Sequence, residues 1–188
     1  MKIHGFSKNF VLSGKIMHKY LINLLLFLLA FGVCGSYVSA QGKTFSDPNV
    51  EYTFEIPGEL WKIVAKPSSL NPNVEMVYGD RQDGYLEVRK TVGSEEEMLS
   101  DVITREQDQK LQFLPGYVAG KEEVFAGNLK GKVFNYEFVR SGRNMSGRSY
   151  FLKSGPKSIY IIRFTGLRDK LRAIRNETDQ IARTFQVK

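Results

Sequence analysis

The chain has 188 residues, a formal net charge of +7, one cysteine and two histidines, and its length suits a single hydrophobic core. Cys34, His4 and His18 all lie in the first 40 residues, so the remainder has neither residue type. The chain after residue 40 therefore cannot form a Ser-His-Asp triad, a Cys-His pair or a disulfide. It also lacks the histidine and cysteine ligands on which zinc, copper, haem and iron–sulfur sites usually depend.

Residues 1–40 have the three features of a secretory signal peptide. Four lysines come first, an apolar run follows over residues 20–33, and Val38-Ser39-Ala40 supplies small side chains for cleavage. The apolar run is shorter than the roughly 20 residues that a transmembrane helix needs. We therefore expect cleavage after Ala40 and a periplasmic or secreted product, which would contact a membrane only through the signal peptide unless it is anchored.

Three alternatives stay open for this leader. Translation could start at Met17, which directly precedes a compact signal, and the apolar run could remain as an uncleaved anchor. Cys34 raises the question of a lipoprotein. Phe31 and Val33, however, occupy the positions where a lipid-attachment signal usually has leucine and a small residue, so we do not expect lipidation.

The charge of the remaining chain is mild but unevenly distributed. Without the four lysines of the leader it has 23 basic and 20 acidic side chains, a balance that gives no reason to expect a nucleic-acid partner. Residues 41–125 hold 9 basic and 16 acidic side chains, whereas residues 126–188 hold 14 basic and 4 acidic ones. The two parts could complement each other in the folded domain.

Hydrophobic periodicity predicts the elements of the first part. Residues 41–49 form a flexible polar lead-in, and a capping box of Ser94 and Glu97 starts a helix that Pro115-Gly116 ends. Alternating apolar residues predict strands over 50–56, 60–66, 74–78 and 84–92.

The second part is predicted as four strands and a closing helix. Turn residues separate strands over 117–125, 130–140, 149–153 and 158–164. The last strand is apolar on both faces, so we expect it at the centre of a sheet. The closing helix has one apolar stripe, at Leu167, Leu171, Ile174, Thr178, Ile181 and Phe185.

The predicted order is β-β-β-β-α-β-β-β-β-α in one domain, residues 50–188. Short turns between the later strands favour antiparallel pairing. We therefore expect an α+β fold in which helices cover an antiparallel β-sheet, a sandwich of the α/β/α type.

This order resembles the PsbP-like family, which includes DcrB-type bacterial envelope proteins. The resemblance covers residues 45–187. It depends on Phe54-Glu55-Ile56-Pro57 and the following Trp61-Lys62, on a strand-helix-strand unit in the middle, and on a closing helix that ends with residues 181–187. It implies a non-catalytic, extracytoplasmic binding or accessory domain. We expect no cofactor. The calcium- and manganese-related role of the photosynthetic members is not carried over, because no metal-binding motif matches.

Arginines of the second part are the leading candidates for an anion- or partner-binding site, since guanidinium groups bind carboxylate and phosphate well. The partner would be an envelope protein or an anionic surface. The alternative is a solvated face whose arginines pair with the acidic first part. The candidates are Arg140, Arg143, Arg148, Arg163, Arg168, Arg172 and Arg175.

Three further interpretations are weaker. Asp80 and Asp83 could ligate calcium, although ordinary turn hydrogen bonding explains them more simply. A small hydrolase could use carboxylates alone, but nothing in the sequence selects a pair. A carrier of a small apolar ligand could use Trp61 and Tyr52, with Tyr78 and Tyr85, although such residues at strand spacing usually belong to the core.

Overall fold

The structure is a computed structural model that describes residues 42–188. The predicted signal peptide, its cleavage after Ala40 and the question of Cys34 therefore lie outside the described residues. Within residues 42–188, no helix is long and apolar enough to cross a lipid bilayer.

The described chain forms ten strands, three α-helices and one turn of 3₁₀ helix. In chain order they are β1 Lys43–Ser46, β2 Tyr52–Ile56, β3 Trp61–Ala65, β4 Val74–Tyr78, β5 Asp80–Val92, α1 Leu99–Gln109, the 3₁₀ turn Leu111–Phe113, β6 Val118–Ala126, β7 Lys130–Arg140, β8 Arg143–Lys153, β9 Ser158–Leu167, α2 Arg168–Ala173, α3 Arg175–Thr184 and β10 Gln186–Val187.

The main sheet has seven antiparallel strands in the order β3-β4-β5-β9-β8-β7-β6. Strand β9 lies at its centre, as its apolar residues on both faces predict. Ile159 and Ile161 point to one face, and Tyr160 and Ile162 point to the other. Each face therefore needs its own cover.

Helix α1 covers one face of the main sheet, which we call the α1 face. Val102 and Ile103 of α1 are fully buried against residues such as Phe134 and Phe151. The opposite face, which we call the α3 face, is covered by α2, α3 and a small three-stranded sheet, β1-β2-β10. This arrangement confirms the predicted α+β sandwich.

Two strands of the small sheet were not expected from the sequence. Residues 43–46 of the predicted flexible lead-in instead form β1, in which Phe45 pairs with Phe54 of β2 and stacks on its ring at 4.7 Å. Strand β10 pairs with the other side of β2. The first predicted strand therefore belongs to this small sheet and not to the main one.

Several element boundaries also differ from prediction. Helix α1 begins at Leu99, five residues after Ser94, because Asp101 accepts a hydrogen bond from the backbone N–H of Met98 (3.2 Å). The closing helix is divided at Ile174 into α2 and α3.

The β7–β8 hairpin is longer than predicted. Ser141 and Gly142 both have positive φ, 50° and 71°, as a two-residue hairpin turn requires, so β8 begins at Arg143 and not at residue 149. At the other hairpin, β5 already begins at Asp80, within the predicted turn.

Candidate functional site

The structure separates the seven candidate arginines into three groups. Arg148, Arg168, Arg172 and Arg175 line one groove, which we call the arginine groove. The other three lie outside it: Arg140 and Arg163 line a cleft on the α1 face, and Arg143 lies at the start of β8. Sequence reasoning therefore grouped four arginines that line one groove with three that lie elsewhere.

The arginine groove lies where α2 and the start of α3 face the outer strands of the main sheet. Strand β6 contributes residues 118–120 and Glu123, and β7 and β8 contribute the floor beneath Leu171. Its volume is about 410 Å³. The groove is thus concave and large enough for one or two side chains of a partner.

Arg148 is a structural member of the groove. Its side chain is only 8% exposed, and its Nη2 donates to Asp179 Oδ1 at 2.8 Å. Its Nη1 donates to Asn135 Oδ1 at 2.7 Å, and its Nε donates to the Tyr150 hydroxyl at 2.6 Å. These bonds occupy the guanidinium group, so Arg148 is poorly placed to bind a ligand.

Tyr150 completes this buried cluster. Burial raises the pKa of its hydroxyl above the usual range, so the group stays protonated and donates to Asp179. The same hydroxyl lies 3.0 Å from the hydroxyl of Thr178. The cluster joins β8 to α3 and holds the floor of the groove in place.

The other three arginines of the groove are accessible. Arg168 lies 3.5 Å from Glu137 with its side chain 40% exposed, and Arg175 lies 3.9 Å from Glu123 with its side chain 55% exposed. Exposed ion pairs of this kind contribute only about 0–1 kcal/mol. Within residues 42–188, Arg172 is exposed and has no acidic side chain at ion-pair distance. These arginines could therefore exchange their present partners for those of a ligand.

The remaining candidate arginines have other surroundings. Arg163 Nη2 donates to Glu106 Oε2 at 2.6 Å, and Glu106 also contacts Arg89 and Lys110. Arg143 donates to the side-chain oxygen of Gln82. Pairs such as Arg175–Glu123 and Arg163–Glu106 join the basic second part to the acidic first part, as the complementary interpretation of the charge distribution predicts.

The aspartates proposed for calcium have turn-forming contacts. Asp80 Oδ1 accepts the backbone N–H of Gln82 (2.6 Å) and of Asp83 (3.1 Å). Asp83 faces Lys170 at 3.6 Å. Over residues 42–188, no cluster of three His, Cys, Asp or Glu side chains has the arrangement of a metal site.

The residues behind the two other interpretations have ordinary structural contacts. Tyr52 and Trp61 are buried in the core of the α3 face, and the Trp61 indole donates to Glu177 at 2.8 Å. A hydrogen bond from Lys132 lowers the pKa of Glu122, and hydrogen bonds from Lys90 and Tyr160 lower that of Glu51. A carboxyl group with a lowered pKa stays ionised and is a poor general acid.

Neither a protein-family model nor a curated protein matches this sequence. Solved structures do match. LpqN of Mycobacterium tuberculosis, involved in cell envelope biogenesis, superposes with a TM-score of 0.53 at 12% identity, over 80% of this chain and 87% of LpqN. Cyanobacterial PsbP of Synechocystis sp. PCC 6803 gives 0.50 at 17% identity, over 85% and 99%. The chain has the PsbP-like fold.

The PsbP-like fold extends to a eukaryotic match as well. The Ran-binding protein Mog1p of Saccharomyces cerevisiae superposes with a TM-score of 0.58 at 10% identity, over 78% of this chain and 95% of Mog1p. At these identities the similarity establishes the fold alone. It confirms at that level the resemblance drawn from the sequence.

Sequence reasoning missed the acidic side chains of the site. Glu123 and Glu137 lie at the edge of the arginine groove, and Asp179 anchors Arg148 from α3. Glu123 and Glu137 are 14 residues apart, and only the β6–β7 pairing brings them to the same groove. The spacing of Asp179 within α3 gave no signal, because its partner lies 31 residues away in β8.

Proposed function

We propose that the chain is an exported, non-catalytic accessory domain that binds an envelope protein through the arginine groove. The observation that carries this proposal is that Arg168, Arg172 and Arg175 line one concave surface and have at most weak, exposed ion partners. A carboxylate of a partner could form bidentate hydrogen bonds with these guanidinium groups. Arg148 and its buried bonds would keep the floor rigid.

The shape of the groove favours a protein partner over a membrane. A bilayer presents a broad surface, whereas this groove is a concavity between a helix and strand ends. An acidic side chain on a protruding segment can enter such a space, and the surrounding residues 118–120 offer backbone and apolar contact. An anionic bilayer is retained as an outcome of the test below.

Export and location are supported by two independent observations. Residues 1–40 have the pattern of a secretory leader, and the fold is shared with LpqN, a protein involved in cell envelope biogenesis. The partner is therefore expected outside the cytoplasm.

Affinity capture from native envelope extract tests the proposal. The bait is the wild-type chain, compared with the triple variant R168A/R172A/R175A and with the control K66A/K153A/K157A. The control removes three exposed lysines outside the groove, so its change in charge is the same. We expect the wild type and the control to retain the same protein and the triple variant to lose it.

Two outcomes would contradict the proposal. Equal capture by all three chains would remove the groove as the binding site. Loss of capture accompanied by groove-dependent binding of the chain to vesicles of anionic phospholipid would assign the groove to a membrane surface. Circular dichroism and urea unfolding of each variant confirm that the three chains are equally folded.

A further inference from the structure

A second basic site lies on the opposite side of the main sheet from the arginine groove. It is a cleft of about 220 Å³ on the α1 face, where the 3₁₀ turn passes over strands β5, β7 and β9. Arg81, Lys110, Arg140 and Arg163 line it. Among the described residues, Tyr136 lines both this cleft and the arginine groove, but no arginine lines both.

Tyr136 and Thr165 both line the cleft, on the two strands that flank β8. In the sheet, Gly147 lies between Tyr136 and Thr165, which are its register partners on β7 and β9. The Tyr136 ring lies over Gly147, where an added Cβ would come within 2.0 Å of Tyr136 Cζ. Gly147 therefore leaves room for the Tyr136 ring, which lines the cleft.

The cleft and its immediate surroundings carry excess positive charge. Glu106 neutralises only part of it, because Arg89, Lys110 and Arg163 all contact that one carboxylate. Glu87 lies in the lining, and Glu75 lies beside Arg81. Among the described residues, the lining of the cleft has four cations and one carboxylate, Glu87.

Two of the cations rest on aromatic rings at the edge of the cleft. The Arg81 guanidinium lies 4.2 Å from the centre of the Tyr85 ring, and that of Arg140 lies 5.3 Å from the centre of the Phe138 ring. Stacking of this kind orients the guanidinium plane and leaves its N–H groups free to donate. In the described part of the chain, Arg140 has no acidic partner at ion-pair distance, and the Nε of Arg163 has no hydrogen-bond partner.

We propose that this cleft binds a small oxyanion, a phosphate, sulfate or carboxylate group, between Arg81, Arg140 and Arg163. Such a group would satisfy the guanidinium donors and balance the excess charge. The volume is below the roughly 300 Å³ at which pockets for drug-sized ligands begin, so the ligand is a small molecule or ion. This site is independent of the proposed partner groove.

Isothermal titration calorimetry of the full chain with inorganic phosphate, sulfate and malonate tests the proposal. Arg140→Ala removes one guanidinium of the cleft, and Arg143→Ala is its matched control. Arg143 is the register partner of Arg140 in the same hairpin, but its guanidinium contacts Gln82 and does not line the cleft. Both variants lower the net charge by one.

We expect saturable binding of at least one anion with a Kd below about 1 mM. Arg140→Ala should weaken that binding about tenfold or more, as loss of one charge-assisted hydrogen bond does, and Arg143→Ala should leave it unchanged. Arg81→Ala should act like Arg140→Ala. The proposal is overturned if none of the three anions binds saturably, or if Arg143→Ala weakens binding as much as Arg140→Ala. Arg172→Ala, a groove variant, should not change anion binding, so failure here is separable from failure of the partner groove.

Discussion

At the scale of single residues, the same side-chain type has opposite roles in this domain. Arg148 is buried and hydrogen-bonded to Asp179, Asn135 and Tyr150, whereas Arg172 is exposed and has no acidic partner in the described chain. Sequence spacing placed Arg168, Arg172 and Arg175 together correctly, because helical neighbours recur every three or four residues. It could not distinguish the buried Arg148, since burial depends on which helix covers β8.

The Arg148–Asp179 pair gives a prediction on stability. Asp179→Ala would leave the charge of Arg148 buried without its carboxylate, so we expect a loss of about 2–3 kcal/mol in the free energy of unfolding, less than for a fully buried pair. Asp169→Ala, at an exposed position of α2, is the matched control and should change stability by less than about 0.5 kcal/mol. Urea unfolding followed by circular dichroism measures both. Equal stability of D179A and wild type would show that the pair makes no net contribution.

At the scale of elements, the sequence predicts long regular elements well and short or locally distorted ones poorly. The stripe Leu171, Ile174, Thr178 and Ile181 is buried as its spacing predicts, although the helix is divided at Ile174. The division leaves i→i−4 hydrogen bonds on both sides, Ile174 N–H to Lys170 O and Thr178 N–H to Ile174 O, so the apolar spacing is unchanged. A hydrophobic pattern therefore cannot reveal the division of the helix at Ile174.

Strands β1 and β10 were missed for a different reason. They have four and two residues, too few to show alternation, and the pairing of β10 with β2 also joins the two ends of the domain. Contacts between such distant segments leave no local signal. The candidate groove shares this limit, because its walls come from β6, β7, β8 and α2.

The packing of β8 against β7 gives an element-level prediction. In Gly147→Ala the new methyl group would overlap the Tyr136 ring, so the ring or the strand must move, at a cost of about 1–3 kcal/mol. Tyr136→Leu should relieve that overlap, so the double variant should be less destabilised than the sum of the single ones. Gly58→Ala, where no atom lies within 4 Å of the new group, is the control. Additive losses in a double-mutant cycle would exclude this contact as the cause.

At the scale of the whole molecule, ion pairs join the acidic first part of the chain to the basic second part. Glu122 of β6 accepts hydrogen bonds from Lys132 of β7 and from Ser100 of α1, at the outer edge of the main sheet. The hydrogen bond from Lys132 is the largest influence that lowers the pKa of Glu122. The free energy of unfolding should therefore change with pH in the acid range.

The direction of that dependence follows from the lowered pKa. Glu122 stabilises the folded state at pH values above its unfolded pKa of about 4.3, and this contribution is lost as the pH falls through the lower folded pKa. Glu122→Gln should therefore be less stable than wild type at pH 7 and should lose less stability between pH 5 and pH 3. Glu96→Gln, at an exposed position, is the control. Parallel stability curves for wild type and E122Q would contradict this assignment.

The central claim is that the PsbP-like fold presents Arg168, Arg172 and Arg175 as a partner-binding groove. The most direct measurement is the Kd between the purified captured partner and the purified chain, by surface plasmon resonance, at low and at physiological salt. We expect R168A/R172A/R175A to raise Kd at least about a hundredfold, from the loss of several charge-assisted hydrogen bonds, and to reduce its salt dependence. The control K66A/K153A/K157A should bind as wild type does. A Kd that is the same for wild type and the groove variant would contradict the account.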